Sequence, residues 1–136
     1  MTRLDSDRPR ILVVLEDDRL AQLVRAALRS KDFAVLDAPD GLKGFDAAVQ
    51  KRPDLVIFDL LLPAIDGWRL AEQLAANEST ANIPRVLLSG MRGLGEIASE
   101  LNVDAYLSKP VDVDDLLETV ERLISDKPRG RLTAAS

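Results

Sequence analysis

The sequence predicts a single α/β domain built on a parallel sheet with helices on both faces. Short apolar runs alternate five times with segments in which apolar residues recur every three or four positions. Residues 55–58 are apolar at every position, as in a strand that is buried on both faces. Strands that alternate with helices pair in parallel through right-handed crossovers, which place helices on both sides of the sheet.

Length and composition restrict the class of protein. The chain has 136 residues, which suit one domain with one good core, and 46% of them are apolar. A net charge of −5 argues against broad binding to nucleic acid or to anionic membranes. The sequence has no cysteine and no histidine, which excludes disulfides, thiol or imidazole catalysis and Cys/His zinc sites. No apolar run approaches 18 residues, and we expect a cytoplasmic protein without a membrane partner.

The first strand and helix are separated by a cluster of acids. Residues 10–15 form the predicted strand, and residues 16–18 (E-D-D) begin a helical pattern. The apolar face of this helix is predicted to contain Leu20, Leu23, Val24, Ala27 and Leu28. The acids either stabilise the start of the helix or form one wall of a metal site.

The next segments lead to the central strand. Residues 33–36 form a short second strand, residues 37–41 have turn chemistry, and a helix then continues to Lys51. Pro53 closes that connection and opens the third strand, which ends at the carboxylate of Asp59. A central strand with an acid at its carboxyl end is where open α/β sheets keep their sites.

The second half repeats the pattern with a weaker fourth helix. A third helix follows Asp66 and Gly67, and residues 86–88 form a strand that ends at Ser89. Glycines interrupt the following helix, which we expect to be marginal because each interior glycine costs about 1 kcal/mol relative to alanine. Residues 105–107 form the fifth strand, and either Asp112 or Asp114 caps the last helix.

The two ends of the chain lack a core-facing pattern. We expect residues 1–9 to be a flexible arm, residues 10–125 the domain, and residues 126–136 a disordered tail. Residues 128–131 (P-R-G-R) resemble the core of a minor-groove hook. One short basic patch on an acidic protein is typically a solvated tail, and nucleic acid is not an expected partner.

Polar residues of complementary chemistry follow four of the strands. They are the acids at 16–18, Asp59, Ser89 and Lys109, and parallel strands bring their carboxyl ends to one edge. Each alone has an ordinary explanation as a cap, a turn residue or a solvated charge. Together, carboxylates suit Mg²⁺, the lysine and serine suit phosphoryl oxygens, and an aspartate can form an aspartyl-phosphate. The combination indicates phosphoryl transfer to Asp59.

The chain resembles the receiver domain of two-component response regulators over residues 10 to about 125. Four pieces carry the resemblance in the same order and spacing: I-L-V-V followed by acids, P-D-L-V-I-F-D-L-L-L-P-A-I-D-G, I-P-R-V-L-L-S-G and D-A-Y-L-S-K-P. The resemblance implies a flavodoxin-like, doubly wound sheet in the strand order 2-1-3-4-5 with the site at its carboxyl edge.

The resemblance also implies roles for individual residues. By position, Asp59 is the phosphoacceptor, and Lys109 is the lysine that pairs with the phosphate. Ser89 is the switch hydroxyl and Tyr106 the switch aromatic. Pro110 follows Lys109 in a peptide bond that is usually cis in the family.

The sequence departs from the family at the metal site. The family places two adjacent acids after the first strand, but alignment through the first helix puts Leu15 and Glu16 there. The implied Mg²⁺ ligands are then Glu16, Asp59 and the backbone carbonyl of Leu61, and binding is expected to be weak. A one-residue bulge would restore Glu16 and Asp17 as the pair, but it would rotate the apolar face of the helix.

The leading interpretation is a stand-alone response regulator. A histidine kinase or a phosphotransfer protein phosphorylates Asp59, and the protein catalyses only its own phosphorylation and dephosphorylation. We expect no output domain after residue 125, and we expect signalling by docking on a protein through the fourth helix, fifth strand and fifth helix. The alternative is a pseudo-receiver that binds partners without phosphorylation, for which Leu15 is the motive.

Two interpretations from other classes fit less well. A phosphatase of the haloacid dehalogenase type needs a second acid two residues after the nucleophile, where this chain has Leu61. A flavodoxin-like flavin carrier needs a phosphate-binding loop of serine, threonine or glycine after the first strand. The loop in this chain is acidic and would repel the phosphate.

Overall fold

The computed structural model describes residues 8–126, in which five strands alternate with five helices. In chain order these are β1 (Arg10–Val14), α1 (Asp18–Ser30), β2 (Ala34–Ala38), α2 (Gly41–Lys51), β3 (Leu55–Asp59), α3 (Gly67–Ala76), β4 (Arg85–Ser89), α4 (Leu94–Leu101), β5 (Ala105–Ser108) and α5 (Val113–Asp126). All pairings are parallel, and the strand order is β2-β1-β3-β4-β5. The predicted doubly wound, flavodoxin-like sheet is confirmed.

The register brings the carboxyl ends of the strands together. β3 lies at the centre, where it pairs with β1 on one side and with β4 on the other. Val14 lies opposite Phe58, so the residue after Val14 leaves β1 at the level of Asp59. Ser89 lies opposite Ser108, which places the residues after β4 and β5 at the same edge.

The two faces of the sheet carry separate cores. One core lies between the sheet and helices α1 and α5, and the other between the sheet and helices α2, α3 and α4. Alternate residues of β1 belong to the two cores, Ile11 and Val13 to the first and Leu12 and Val14 to the second. Helices therefore cover both faces, as predicted. Within residues 8–126, no helix is both long enough and apolar enough to cross a membrane.

The apolar face of α1 differs from the prediction at one position. The buried face is formed by Ala21, Val24, Ala27 and Leu28. Leu23 was expected on this face, but it lies one step further around the helix and is exposed to solvent. Ala21, which the sequence analysis did not place on this face, is buried against the core.

The bounds of β1 and β2 also differ from the prediction. β1 ends at Val14, one residue earlier than expected, because the chain turns there towards the cap of α1. β2 continues to Ala38 through residues expected to form a turn. Asp37 is tolerated in this edge strand because its exposed carboxylate accepts a hydrogen bond from Arg25 Nη1 at 2.9 Å.

Aspartates cap four of the helices, and α4 is the exception. The side chains of Asp17, Asp40 and Asp66 accept hydrogen bonds from backbone amides in the first turns of α1, α2 and α3. Asp112 does the same for α5, which decides between the two caps predicted there. Gly93 precedes α4 with φ = 69° and provides no side-chain bond. The expectation that α4 is a weak helix is consistent with this start.

Two aspartates close the opposite, amino-terminal edge of the sheet. The backbone amide of Arg10 donates to Asp54 Oδ2, and that of Arg85 donates to Asp104 Oδ2, each at 2.8 Å. In return, the amide of Asp54 donates to the carbonyl of Arg10 and that of Asp104 to the carbonyl of Arg85. Each aspartate precedes one strand and fixes the first residue of a neighbouring strand.

Several expectations about the chain ends lie outside the described residues. These are most of the predicted arm (1–9), the tail beyond Asp126 and the P-R-G-R sequence at 128–131. The last helix ends at Asp126, one residue beyond the expected domain boundary.

Candidate functional site

The site is centred on Asp59, the last residue of β3. The apolar run of β3 ends here because the next residues leave the sheet, and Asp59 is only 8% exposed. Its two carboxylate oxygens have different partners. Oδ1 accepts a hydrogen bond from the amide of Leu60 at 2.6 Å, and Oδ2 contacts the ammonium of Lys109. The carboxylate is therefore held in place by both its own loop and a charge from another strand.

Gly67 allows α3 to begin directly beneath the end of β3. A Cβ atom at residue 67 would lie 2.2 Å from the carbonyl oxygen of Asp59 and 2.6 Å from Cα of Leu60. No side chain fits at such distances, so only glycine is compatible with this approach. The amide of Gly67 donates to the carbonyl of Leu60 at 2.8 Å and closes the loop after Asp59.

Lys109 follows β5 and reaches back across β4 to Asp59. Its backbone amide donates to the carbonyl of Ser89 at 3.0 Å, which fixes the chain where it leaves the sheet. The peptide bond between Lys109 and Pro110 is cis, in line with the family habit. The ammonium and the carboxylate of Asp59 form a salt bridge between residues 50 positions apart in sequence.

Ser89 ends β4 on the strand that lies between Asp59 and Lys109. The residue is 1% exposed, and its Oγ accepts a hydrogen bond from the amide of Met91 at 3.2 Å. The hydroxyl proton is not used in that bond and remains able to donate. The end of β4 thus provides a buried donor next to the ends of β3 and β5.

Tyr106 lies apart from the contact between Asp59 and Lys109. It belongs to edge strand β5 and is 47% exposed, with its ring outside the core. The tip of the ring lies next to Gly95 in the first turn of α4. The structure therefore places this predicted switch residue on the surface between β5 and α4.

Of the two roles predicted for the acidic residues after β1, the structure shows the stabilisation of the helix start, by Asp17. Leu15 follows β1 at the level of Asp59, but it is 4% exposed and packs in the core with α1 and α5. Glu16 is exposed. Asp17 accepts hydrogen bonds from the amides of Arg19 and Leu20 as the cap of α1. β1 has no bulge, so Glu16 is the first acid after the strand. Unlike Asp17, Glu16 does not cap α1.

The donor set determines how well these residues fit a metal. Within the part of the chain that the structure describes, no three carboxylates converge as a metal site. Mg²⁺ needs only one or two carboxylates, with backbone and water oxygens for the rest. Asp59, Glu16 and the carbonyl of Leu61 are hard oxygen donors of this kind. They fit Mg²⁺, but with one carboxylate fewer than a site that has an acid at position 15.

Two features of the site were missed by the sequence analysis. The Asp-Gly pair at 66–67 indicated the start of a helix, but not that Gly67 lies against the backbone of Asp59. The contact between Gly95 and Tyr106 was also missed. Gly95 was interpreted only as a residue that weakens α4, because a contact between a helix and a strand leaves no local sequence pattern.

Comparison with known proteins agrees with the fold. The family model for the response regulator receiver domain matches residues 11–121. The DNA-binding dual master transcriptional regulator RpaA of Synechocystis sp. is 38% identical over 121 residues, which are 85% of this chain and 49% of RpaA. The polar-differentiation response regulator DivK of Brucella anthropi is 27% identical over 121 residues, covering 87% of this chain and 98% of DivK. The chain thus spans about half the length of RpaA and nearly all of DivK.

A solved structure gives a similar result. The receiver domain of sensor histidine kinase PA1611 from Pseudomonas aeruginosa PAO1 superposes with a TM-score of 0.81 at 26% identity. The match covers 88% of this chain and 99% of that domain. That crystal structure has a magnesium ion coordinated in its active site cleft.

Proposed function

The chain belongs to the family of response regulator receiver domains, and on this premise we propose that it accepts a phosphoryl group on Asp59. The donor is a histidine kinase or a phosphotransfer protein that carries phosphohistidine. The observation that carries the proposal is the contact of Lys109 with Asp59 at the carboxyl end of the central strand. The pair combines a nucleophile with a cation that stabilises the charge of the transferred group.

The transfer is a displacement at phosphorus. An oxygen of Asp59 forms a bond to phosphorus while the P–N bond of the donor breaks, and the electron pair returns to the imidazole nitrogen, which takes up a proton. The contact with Leu60 restricts the rotation of the Asp59 carboxylate and so favours in-line attack. The ammonium of Lys109 then pairs with a phosphoryl oxygen, and the hydroxyl of Ser89 donates to another.

Magnesium is the cofactor that we propose for this site. Glu16, Asp59 and the carbonyl of Leu61 would hold it, with Asp17 a weaker candidate because it caps α1. When bound, Mg²⁺ supplies positive charge that stabilises the transferred phosphoryl group. Because Leu15 takes the position of an acid and is buried, we propose that Mg²⁺ binds weakly.

The output that we propose is docking on a downstream protein. The phosphoryl group draws Ser89 towards it, and Tyr106 moves from the surface into the space that Ser89 leaves. This shifts an equilibrium between two states of the face formed by α4, β5 and α5. The exposed ring of Tyr106 and the uncapped start of α4 support a face that is able to rearrange.

The acetyl phosphate reaction tests the proposal. With Mg²⁺ and acetyl phosphate, the wild-type protein should gain one phosphoryl group in an acid-stable, alkali-labile adduct, as an acyl phosphate does. Asp59→Asn should not form the adduct, whereas Asp46→Asn, which changes an exposed acid on α2, should form it as the wild type does. Labelling of Asp59→Asn at the wild-type level, measured by intact mass, would refute Asp59 as the acceptor.

One observation favours a second function. The aliphatic side chain of Leu15 is buried in the core on the side of α1 and α5. A small local movement therefore cannot bring another acid to this position, where the family usually has its first acid. A pseudo-receiver binds its partner without phosphorylation, so it needs no acid at this position and would retain the buried leucine. If the wild type takes up no phosphate from any donor and Asp59→Asn still binds the partner, this second function is the correct one.

A further inference from the structure

We propose that Gly95 sets the orientation of Tyr106 by leaving space on α4 for its hydroxyl group. We call this space the seat. This inference rests on the proposed function of Tyr106 as a switch, and it deepens it. Because residue 95 has no side chain, α4 leaves room for the hydroxyl of Tyr106, and the ring keeps its outward orientation in the resting protein. Gly95 is therefore a positioning residue, which acts on the output face through Tyr106.

The contact is tight. A Cβ atom at residue 95 would lie 3.1 Å from the hydroxyl oxygen of Tyr106 and 3.7 Å from its Cζ atom. The first distance is shorter than a methyl carbon and an oxygen normally approach, so a methyl group at residue 95 would displace the hydroxyl by a few tenths of an ångström. Nearly half of Tyr106 is exposed to solvent, since the residue lies on edge strand β5.

Helix formation does not explain the glycine. α4 has only eight residues and begins without a side-chain cap, so it would benefit from a stronger helix former. Gly95 lies within the helix and has no positive φ, unlike Gly93, so its backbone does not require glycine either. The close approach of Tyr106 is the contact that an alanine would disturb.

The expected consequence of Gly95→Ala follows from this geometry. The added methyl group occupies the space in which the hydroxyl of Tyr106 lies, so the outward orientation of the ring becomes less favourable. The methyl group does not affect the inward orientation, in which the hydroxyl has left α4. A displacement of a few tenths of an ångström or an off-rotamer ring shifts the ratio of inward to outward orientations by roughly fivefold. The substitution thus moves the resting protein towards the orientation that we assign to the phosphorylated state.

Fluorine NMR measures this orientation directly. Tyr106 is the single tyrosine of the chain, so 3-fluorotyrosine labelling reports on this ring alone. In the unphosphorylated protein, Gly95→Ala should move the fluorine signal and reduce its H₂O/D₂O isotope shift, because the ring becomes buried. Ser99→Ala is the control, since it also raises the helix propensity of α4 but removes an atom instead of adding one.

A second measurement separates the contact from changes in helix stability. Gly95→Ala should raise the urea midpoint of unfolding more in a Tyr106→Phe background than in the wild type, because phenylalanine lacks the oxygen that the methyl group meets. An equal rise in both backgrounds, or an unchanged isotope shift in Gly95→Ala, would overturn the inference.

The same labelled protein distinguishes the inference from the proposed function. If acetyl phosphate moves the fluorine signal in the wild type but Gly95→Ala leaves the resting signal unchanged, the seat is wrong and the switch stands. If Gly95→Ala buries the ring but phosphorylation moves it in neither protein, the seat stands and the switch of the proposed function fails.

Discussion

At the scale of single residues, two side chains are unusual for the places they occupy. Leu15 is an apolar residue at the edge where the polar site lies, and Arg85 is a charged residue inside the sheet. Both side chains are buried, so neither can turn into solvent when a charge is introduced or removed at or near it. They are the positions at which one substitution should have the largest measurable effect.

Restoring an acid at residue 15 should strengthen the metal site. Leu15→Asp introduces a second carboxylate at the end of β1, at the level of Asp59, and we expect it to increase the affinity for Mg²⁺ about tenfold, which corresponds to roughly 1.4 kcal/mol. Calorimetry, or the fluorescence of the single tryptophan Trp68, measures the affinity. Leu15→Asn is the matched control, because asparagine has the shape of aspartate without its charge.

Removal of the remaining acid should have the opposite effect. We expect Glu16→Gln to abolish detectable Mg²⁺ binding in the same titration, whereas Asp17→Asn, which keeps the oxygen that caps α1, should leave the affinity close to that of the wild type. Binding by Glu16→Gln at the wild-type level would show that another acid holds the metal.

Arg85 should reduce the stability of the protein. It is 6% exposed, and within residues 8–126 its Nε and Nη1 atoms have no hydrogen-bond partner. Burial lowers the pKa of Arg85, and the nearby charge of Asp104 offsets this only in part. Because the pKa in the folded state is below that in the unfolded state, the charged form opposes folding at every pH below it.

Replacement of Arg85 by an apolar residue should therefore stabilise the fold. We expect Arg85→Met to raise the free energy of unfolding by about 1–3 kcal/mol in urea at neutral pH. Arg122→Met, on the exposed face of α5, should change it by less than about 0.5 kcal/mol. A loss of stability in Arg85→Met would mean that the hydrogen bond from Nη2 to the carbonyl of Ala81 and the charge of Asp104 outweigh the cost of burial.

At the scale of helices and strands, we expect α4 to be the weakest element. It has eight residues, two glycines at or near its start and no side-chain cap, whereas α5 has 14 residues and is capped by Asp112. Short helices depend on caps and packing, since their own formation is unfavourable. The weakest element thus belongs to the face that we propose as the output.

Hydrogen exchange should reveal this difference. We expect the amides of Leu94–Leu101 to exchange at least about tenfold faster than those in the buried part of α5, because α4 opens locally without unfolding of the sheet. Exchange of both helices at one common rate would indicate that α4 opens only with the whole domain.

Sequence patterns predicted the elements well and their contacts poorly. All five strands and five helices were predicted, since buried strands and amphipathic helices leave local periodic patterns. The contact of Lys109 with Asp59 followed from the strand order that the family resemblance implied. Leu23 was placed wrongly on the buried face, and the contacts of Gly67 and Gly95 were missed, because these environments depend on how a helix packs against a distant segment.

At the scale of the whole molecule, one ion pair joins the centre of the sheet to its edge. Lys109 follows edge strand β5 and reaches Asp59 on central strand β3, with Ser89 on the strand between them. A change at Asp59 is therefore able to act on the β5 edge through one side chain. The core does not depend on this pair, since both cores are apolar.

Removal of the lysine should uncouple the site from the edge. We expect Lys109→Ala to change the free energy of unfolding by less than about 1 kcal/mol, because the ammonium is partly exposed to solvent. Lys109→Ala should still be phosphorylated, but without the change in α4 and β5 exchange rates that the wild type shows. Lys51→Ala is the control, because it removes an exposed lysine at the end of α2. A wild-type exchange response in Lys109→Ala would exclude this lysine as the link.

The aspartate bonds at the amino-terminal edge have a consequence for the order in which the chain folds. The bond between Arg85 and Asp104 spans 19 residues, whereas that between Arg10 and Asp54 spans 44. The entropy lost on closing a loop grows with the logarithm of its length, so the shorter loop is favoured by about 0.7 kcal/mol, or roughly threefold in probability. In a nascent or refolding chain, the β4–α4–β5 unit therefore closes more readily than the β1–β3 pairing, although it contains the least stable helix of the native state.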